Sequence, residues 1–163
     1  MATRTLGIIM NGVTGRMGLN QHLVRSIIAI RDQGGVTLPN GDRVMPDPIL
    51  VGRNAEKIAA LGRQYGITRT TTDLGAALKN PNDTVFFDAA TTQMRADLVT
   101  QAIEAGKHIY CEKPVADSLD KAVAIARLAK QKGIRTASSR TSCSCPACAR
   151  SSCCAMPASS AAC

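Results

Sequence analysis

The sequence predicts an α/β protein whose core is a doubly wound parallel sheet. Short apolar runs alternate with longer amphipathic stretches from Thr5 to Arg135, and a glycine-rich turn follows the first apolar run. This alternation is typical of parallel strands that are joined by helical crossovers. With 163 residues, the chain is long enough for one domain with its own core.

The first strand–helix unit lies before residue 34. Residues 5–10, TLGIIM, predict a buried strand, and residues 15–33 carry their large aliphatic side chains at helical spacing. Residues 33–48 concentrate Gly, Pro, Asn and Asp. We therefore expect a loop there before the second strand.

Four further strands are predicted along the chain. PILVGR is the second strand, and its helix is capped by Asn54 and ends at Gly66. A short strand then precedes a helix capped by Asp73, and TVFFDAAT precedes a helix that ends before HIYCEKP, the fifth strand. The last helix is capped by Asp117 or Ser118. We expect the five strands in the order 3-2-1-4-5.

The turn MNGVTGRMG predicts a binding site for a dinucleotide. Its glycines follow G-x-x-G-x-x-G rather than the usual G-x-G-x-x-G, but they lie between a strand and a helix. Glycine lets the backbone turn tightly and approach a pyrophosphate, whose charge the helix N-terminus favours. A turn with only a structural role is the alternative. The predicted cofactor-binding residues here are Gly12, Val13, Thr14, Gly15, Arg16, Met17 and Gly18.

The end of the second strand favours NADP over NAD. An acid at this place binds a free ribose 2′-hydroxyl, whereas a cation accepts a 2′-phosphate. The sequence has Arg53 there, and Lys57 lies one helical turn farther on. We expect both side chains to face the phosphate. Two exposed cations without a role are the alternative.

The block AGKHIYCEKP resembles the Glu-Lys-Pro signature of the Gfo/Idh/MocA family of oxidoreductases. The resemblance extends over residues 5–135, through the glycine turn, VGRNAEK and FFDAATT. It implies a Rossmann-type NAD(P)-binding domain in which Lys113 is catalytic near nicotinamide and substrate, and in which Glu112 and Thr91 line the cofactor. The turn GVTGRMG also resembles that of dihydrodipicolinate reductase, which is the alternative family.

The resemblance further implies a second α/β domain, a sugar-like or polyol substrate and a homo-oligomeric parent protein. We expect the 163 residues to lack that second domain and the sixth strand of the sheet. The leading interpretation is therefore a fragment of an NADP-dependent oxidoreductase that binds nucleotide without turnover. A non-catalytic dinucleotide-binding module is the alternative from another class.

Residues 136–163 form a tail of different composition. They include 8 Ser, 7 Ala and 6 of the 7 cysteines of the chain, with no acid and no large aliphatic side chain. Such a segment cannot bury a core. We predict that it is irregular and interpret it as the product of a shifted reading frame. A metal site on Cys143, Cys145 and Cys148 is the alternative; no metal is expected.

Charge and hydropathy exclude two classes of function. The net charge of +8 is scattered along the chain, without a basic run or interleaved aromatic residues, so no nucleic-acid partner is expected. The N-terminal apolar run is too short for a signal peptide or a membrane span. We expect a cytoplasmic protein that acts on a small molecule.

Overall fold

A computed structural model describes residues 2–139 of the chain. Five helices alternate with seven strands in this part. The strands are β1 (Thr3–Asn11), β2 (Val36–Thr37), β3 (Arg43–Val51), β4 (Thr70–Thr71), β5 (Asp83–Asp88), β6 (His108–Cys111) and β7 (Thr136–Ser138). The first helix runs from Gly18 to Ile28 with the wide π-type turn and continues as α1 (Ala29–Asp32). The later helices are α2 (Ala55–Gln64), α3 (Leu74–Lys79), α4 (Thr92–Glu104) and α5 (Leu119–Gln131).

The sheet has the order β2-β3-β1-β5-β6-β7, and β4 pairs with the same side of β3 as β2 does. All pairings are parallel except that of β2 with β3. The predicted order of five strands, which corresponds to β4-β3-β1-β5-β6, is therefore confirmed. The fold class, an α/β doubly wound parallel sheet, is confirmed as well.

Two buried clusters pack on opposite faces of this sheet. Neighbouring residues of one strand, such as Ile9 and Met10 or Phe86 and Phe87, belong to different clusters because side chains alternate along a strand. One cluster packs under α3, α4 and α5, and the other under the Gly18–Ile28 helix and α2. The helices thus change faces between β1 and β5, which is where open α/β sheets bind ligands.

The caps predicted from the sequence form. The side chains of Asn54, Asp73 and Ser118 accept hydrogen bonds from the backbone N–H groups of Lys57, Ala76 and Lys121, respectively. These bonds satisfy N–H groups that have no partner within the helix. None of the helices in residues 2–139 is long and apolar enough to cross a membrane.

The prediction of a loop over residues 33–48 is wrong for the residues that form strands, 36–37 and 43–48. Residues 36–37 and 43–48 belong to a hairpin of β2 and β3, although Pro46 and Pro48 interrupt the pattern. The N–H of Leu50 points away from β1, toward Arg69, so the nitrogens at positions 46 and 48 face the same side. No described strand pairs with that stretch of β3, and proline is therefore tolerated.

The prediction of a missing sixth strand is also wrong. Residues Thr136–Ser138 form β7, which pairs in parallel with β6. The Cys111 carbonyl accepts a hydrogen bond of 2.9 Å from the Ser139 N–H. Strand pairing needs only backbone groups, so small side chains do not prevent it. The rest of the predicted irregular tail, including its cysteines, lies outside the described residues.

Candidate functional site

A cleft of about 320 Å³ lies at the carboxyl ends of the central strands. It is bordered by the segments that follow β1, β3 and β5, the strands on either side of the point where the helices change faces. Five residues that the sequence analysis assigned to cofactor binding line it together: Gly12, Thr14, Gly15, Arg53 and Thr91.

The glycine turn has the geometry expected from its sequence. Gly12 has a φ of +78°, and a Cβ there would lie 2.6 Å from the backbone of Ala89 and Ala90. A Cβ on Gly18 would lie 2.5 Å from the Gly12 carbonyl oxygen. Glycine is thus required at both positions, which allow β1, β5 and the first helix to approach each other closely.

The other residues of the turn take different positions. Val13 is fully buried beneath the turn, whereas Thr14, Gly15, Arg16 and Met17 are exposed. The Leu19 N–H donates to the Gly15 carbonyl oxygen at 2.8 Å. Thr14 and Gly15 line the cleft just before the first helix begins, whereas Arg16 and Met17 do not line it.

The two predicted phosphate-binding cations differ in their relation to the cleft. Arg53 follows β3, is exposed and lines the cleft. Lys57 is exposed in the first turn of α2 and does not line it. The cleft has no acid at the end of β3, where a ribose-binding carboxylate would be expected.

The residues predicted on the nicotinamide side lie at two strand ends. Thr91 is exposed at the start of α4 and lines the cleft. Glu112 is buried and Lys113 exposed immediately after β6, and neither lines the cleft. The strand β6 is adjacent to β5, so Lys113 belongs to the next strand end beyond Thr91.

Comparison with known proteins identifies the family. A family model described as "Oxidoreductase family, NAD-binding Rossmann fold" matches residues 48–139, more than half of the chain. The chain belongs to the Gfo/Idh/MocA oxidoreductase family. This match decides against the alternative resemblance to dihydrodipicolinate reductase.

Relatives within the Gfo/Idh/MocA family include sugar dehydrogenases. D-xylose dehydrogenase of Paenarthrobacter nicotinovorans is 46% identical over 132 residues, which are 81% of this chain and 34% of that protein. Levoglucosan dehydrogenase of Pseudarthrobacter phenanthrenivorans is 31% identical over 86 residues, which are 53% of this chain and 22% of that protein. The matched part therefore spans about a third or less of these curated relatives.

Solved structures show the same fold. Levoglucosan dehydrogenase in complex with NADH and levoglucosan matches with a TM-score of 0.67 at 26% identity, over 82% of this chain and 35% of that one. A 3-ketoreductase from Actinomadura kijaniata in complex with NADP matches with a TM-score of 0.64 at 16% identity, over 82% of this chain and 36% of that one. The second likeness shows the fold alone.

Within the Glu-Lys-Pro block, Glu112 is held by three groups. His22 contacts one carboxylate oxygen, and the Ser139 hydroxyl and the Lys113 N–H donate to the other at 2.7 and 3.2 Å. Burial raises the pKa of the Glu112 carboxyl, but the hydrogen bonds from Ser139 and His22 outweigh it. The pKa of Glu112 is therefore lowered, and its carboxylate is negatively charged at neutral pH, next to the backbone of Lys113.

His22 was not singled out from the sequence. Its ring packs against Phe87 at a centroid distance of 4.5 Å and against Tyr110 at 5.9 Å. The imidazole thus connects the first helix to the ends of β5 and β6. Since His22 and Glu112 are 90 residues apart, no local pattern indicates this pair.

A network in which partly buried Asn11 joins buried Asp88 and Arg95 was also missed. The Asn11 amide donates to one oxygen of Asp88 at 2.8 Å, and the Nε of Arg95 donates to the other at 3.0 Å. The Asp88 and Arg95 side chains are 0% and 3% exposed. A signal existed in the sequence, because Arg95 shares an apolar helix face with Val99 and Ile103.

Cys111 is a small residue of the buried core. It is 2% exposed and belongs to the cluster under α4 and α5. Burial raises the pKa of its thiol, so the thiol is protonated at neutral pH. This environment does not favour a nucleophile.

Proposed function

We propose that this Gfo/Idh/MocA chain binds a nicotinamide dinucleotide in the cleft and prefers NADP to NAD. One observation carries the preference: Arg53 lines the same cleft as Gly12 and Gly15, at the strand end where an acid would bind a free ribose. A guanidinium group can donate two parallel hydrogen bonds to a phosphate. Lys57, one turn farther along α2, adds a second positive charge.

The glycine turn is proposed to hold the pyrophosphate. Residues 12–18 present backbone groups and a helix N-terminus there, and anions are stabilised near such a terminus. Thr91 contacts the nicotinamide half in this proposal, and Glu112 lines it. The pyrophosphate then lies between the adenosine beside Arg53 and the nicotinamide beside β5 and β6.

Lys113 is proposed as the catalytic residue of the whole protein. Its neutral amine would accept the proton of a substrate hydroxyl during oxidation, or its ammonium group would donate a hydrogen bond to the substrate oxygen, while a bound nicotinamide would supply the hydride chemistry. The names of the relatives, D-xylose dehydrogenase and levoglucosan dehydrogenase, support a sugar-like or polyol substrate.

The described residues form one side of the site that this reaction needs. Hydride transfer requires the reacting carbon to lie within about 3–3.5 Å of its acceptor and away from water. The matched relatives are about three times as long as the matched part of this chain. We therefore propose that a polypeptide of these 163 residues binds nucleotide without turnover.

Isothermal titration of the purified 163-residue chain with NADP⁺, NAD⁺ and 2′,5′-ADP tests this proposal. We expect saturable binding of NADP⁺ and of 2′,5′-ADP, and at least tenfold weaker binding of NAD⁺. Equal affinity for NADP⁺ and NAD⁺ would refute the proposed preference for NADP. If neither dinucleotide binds, the proposed function is refuted.

A turnover assay with sugars and polyols separates the two classes considered from the sequence. A non-catalytic module stays inactive when the chain is extended, whereas a chain extended by the unmatched remainder of the D-xylose dehydrogenase relative should reduce NADP⁺. Lys113→Ala in that extended chain should abolish turnover while NADP⁺ binding persists. Turnover by the 163-residue chain alone would refute the proposal that these residues bind nucleotide without turnover.

A further inference from the structure

The network of Asn11, Asp88 and Arg95 connects the ends of β1 and β5 to α4 at the cleft. Asn11 ends β1 and lines the cleft, Asp88 ends β5, and Arg95 lies in α4. Besides Asp88, the Arg95 guanidinium donates to the Ala90 carbonyl oxygen at 2.5 Å and to the Pro114 carbonyl oxygen at 2.6 Å. One side chain thus binds the segments after β5 and β6.

These two carbonyl groups lie beside the proposed nicotinamide half of the site. Ala90 lines the cleft next to Thr91, and Pro114 follows Lys113 directly in the chain. Both belong to irregular segments rather than to the sheet. Arg95 therefore supplies hydrogen bonds that no strand partner provides, and it sets the distance between the two segments.

Stability alone does not account for a charge in this place. Arg95 shares its helix face with Val99, Ala102 and Ile103, which are apolar and buried. A buried ion pair gains little over well-packed apolar residues, because both charges lose their hydration. An apolar side chain at position 95 would leave the Ala90 and Pro114 carbonyls without this donor.

We propose that Arg95 is a positioning residue, which, paired with Asp88, fixes the Thr91 and Lys113 segments relative to each other for binding of the nicotinamide half of the cofactor. This inference rests on the proposed dinucleotide function. It assigns no contact between Arg95 and the cofactor. Its specific consequence is that loss of Arg95 weakens binding of the nicotinamide half more than binding of the adenosine half.

The spacing of the strands explains why binding of the two halves of the dinucleotide can be measured separately. Arg53 follows β3 and Lys113 follows β6, and these strands are three positions apart in the sheet. With about 4.8 Å between neighbouring strands, the two ends lie about 14 Å apart. The segment after β5 lines the same cleft as Arg53, whereas the segment after β6 lies beyond it. We therefore expect a ligand without the nicotinamide half, such as 2′,5′-ADP, to reach Arg53 but not the Lys113 segment.

Two variants test the inference in the 163-residue chain. Arg95→Lys keeps a positive charge beside Asp88 but lacks the planar fork that reaches both carbonyls. The double variant Asp88→Asn, Arg95→Met removes both charges, so no buried carboxylate is left without its cation. Arg127→Met, which removes an exposed arginine of α5, is the matched control. Circular dichroism and a thermal scan establish that each protein is folded.

Titration with NADP⁺ and with 2′,5′-ADP gives the decisive comparison. We expect both variants to bind NADP⁺ about tenfold or more weakly, with 2′,5′-ADP affinity within about threefold of the wild type. Equal weakening of both ligands, or no weakening of NADP⁺ in the folded double variant, would overturn the positioning role. If the wild-type chain binds neither dinucleotide, the proposed function fails, and this inference falls with it.

Discussion

Arg53→Asp is the substitution that most directly examines cofactor choice. In the wild type, Arg53 is exposed and lines the cleft. Hydrogen bonds to charged groups contribute about 1.5–3 kcal/mol, which corresponds to about 10- to 150-fold in affinity. Exposure to solvent places Arg53 toward the lower limit. We therefore expect NADP⁺ to bind at least about tenfold more weakly to the variant.

The same substitution should leave NAD⁺ binding intact or improve it. An acid at this strand end can accept a hydrogen bond from the ribose 2′-hydroxyl, while it repels a 2′-phosphate. The measurement is the ratio of the dissociation constants for NADP⁺ and NAD⁺, with Arg63→Asp as the control. Arg63 is exposed in the last turn of α2 and does not line the cleft, so the control changes the net charge equally.

The wild-type preference should also decrease with ionic strength. Exposed charges are screened over about 8 Å at physiological salt and over about 3 Å at 1 M. An Arg53→Asp variant that still prefers NADP⁺ tenfold would refute the assignment of Arg53. If Arg63→Asp lowers the NADP⁺ preference as much as Arg53→Asp does, the preference arises from net charge rather than from a contact with Arg53.

Three further outcomes are expected. Gly18→Ala should lower the free energy of unfolding in urea by about 1–3 kcal/mol. Gly15→Ala should change it little, because a Cβ there would lie 3.5 Å from the Gly12 carbonyl oxygen. Equal effects of the two substitutions would contradict the packing argument. The lowered pKa of Glu112 stabilises the folded state above the ordinary carboxyl value of about 4.3, and this contribution is lost as pH falls through the lower folded value. The stability difference between wild type and Glu112→Gln should therefore shrink in acid, and a difference independent of pH would disprove the shift. Finally, peptide mapping after brief iodoacetamide treatment at neutral pH should leave Cys111 unmodified until the chain is unfolded, while rapid labelling of the folded chain would contradict its buried, protonated state.

Local chemistry explains the parts of the fold that the sequence predicted. The caps at Asn54, Asp73 and Ser118 depend on one side chain and an N–H three residues away. The strand order follows from the handedness of crossovers and from the change of helix faces between β1 and β5. Each of these features depends on neighbouring residues or on a general rule of topology.

The errors and omissions arise from contacts between distant residues. The strand character of residues 43–48 depends on pairing with β1, about 40 residues earlier, and it outweighs the local signal of two prolines. β7 forms on β6 from residues whose composition indicated irregular structure. Asn11 and Asp88, 77 residues apart, form a pair that no single stretch of sequence reveals.

The prolines of β3 also affect how readily copies of this chain associate in solution. Between β2 and β4, the outer side of β3 has no described partner, and an open strand of this kind can recruit a second chain. Proline has no N–H to donate. Pro46 and Pro48 therefore remove two successive donors from this margin, and the sheet resists growth into a fibrillar stack there.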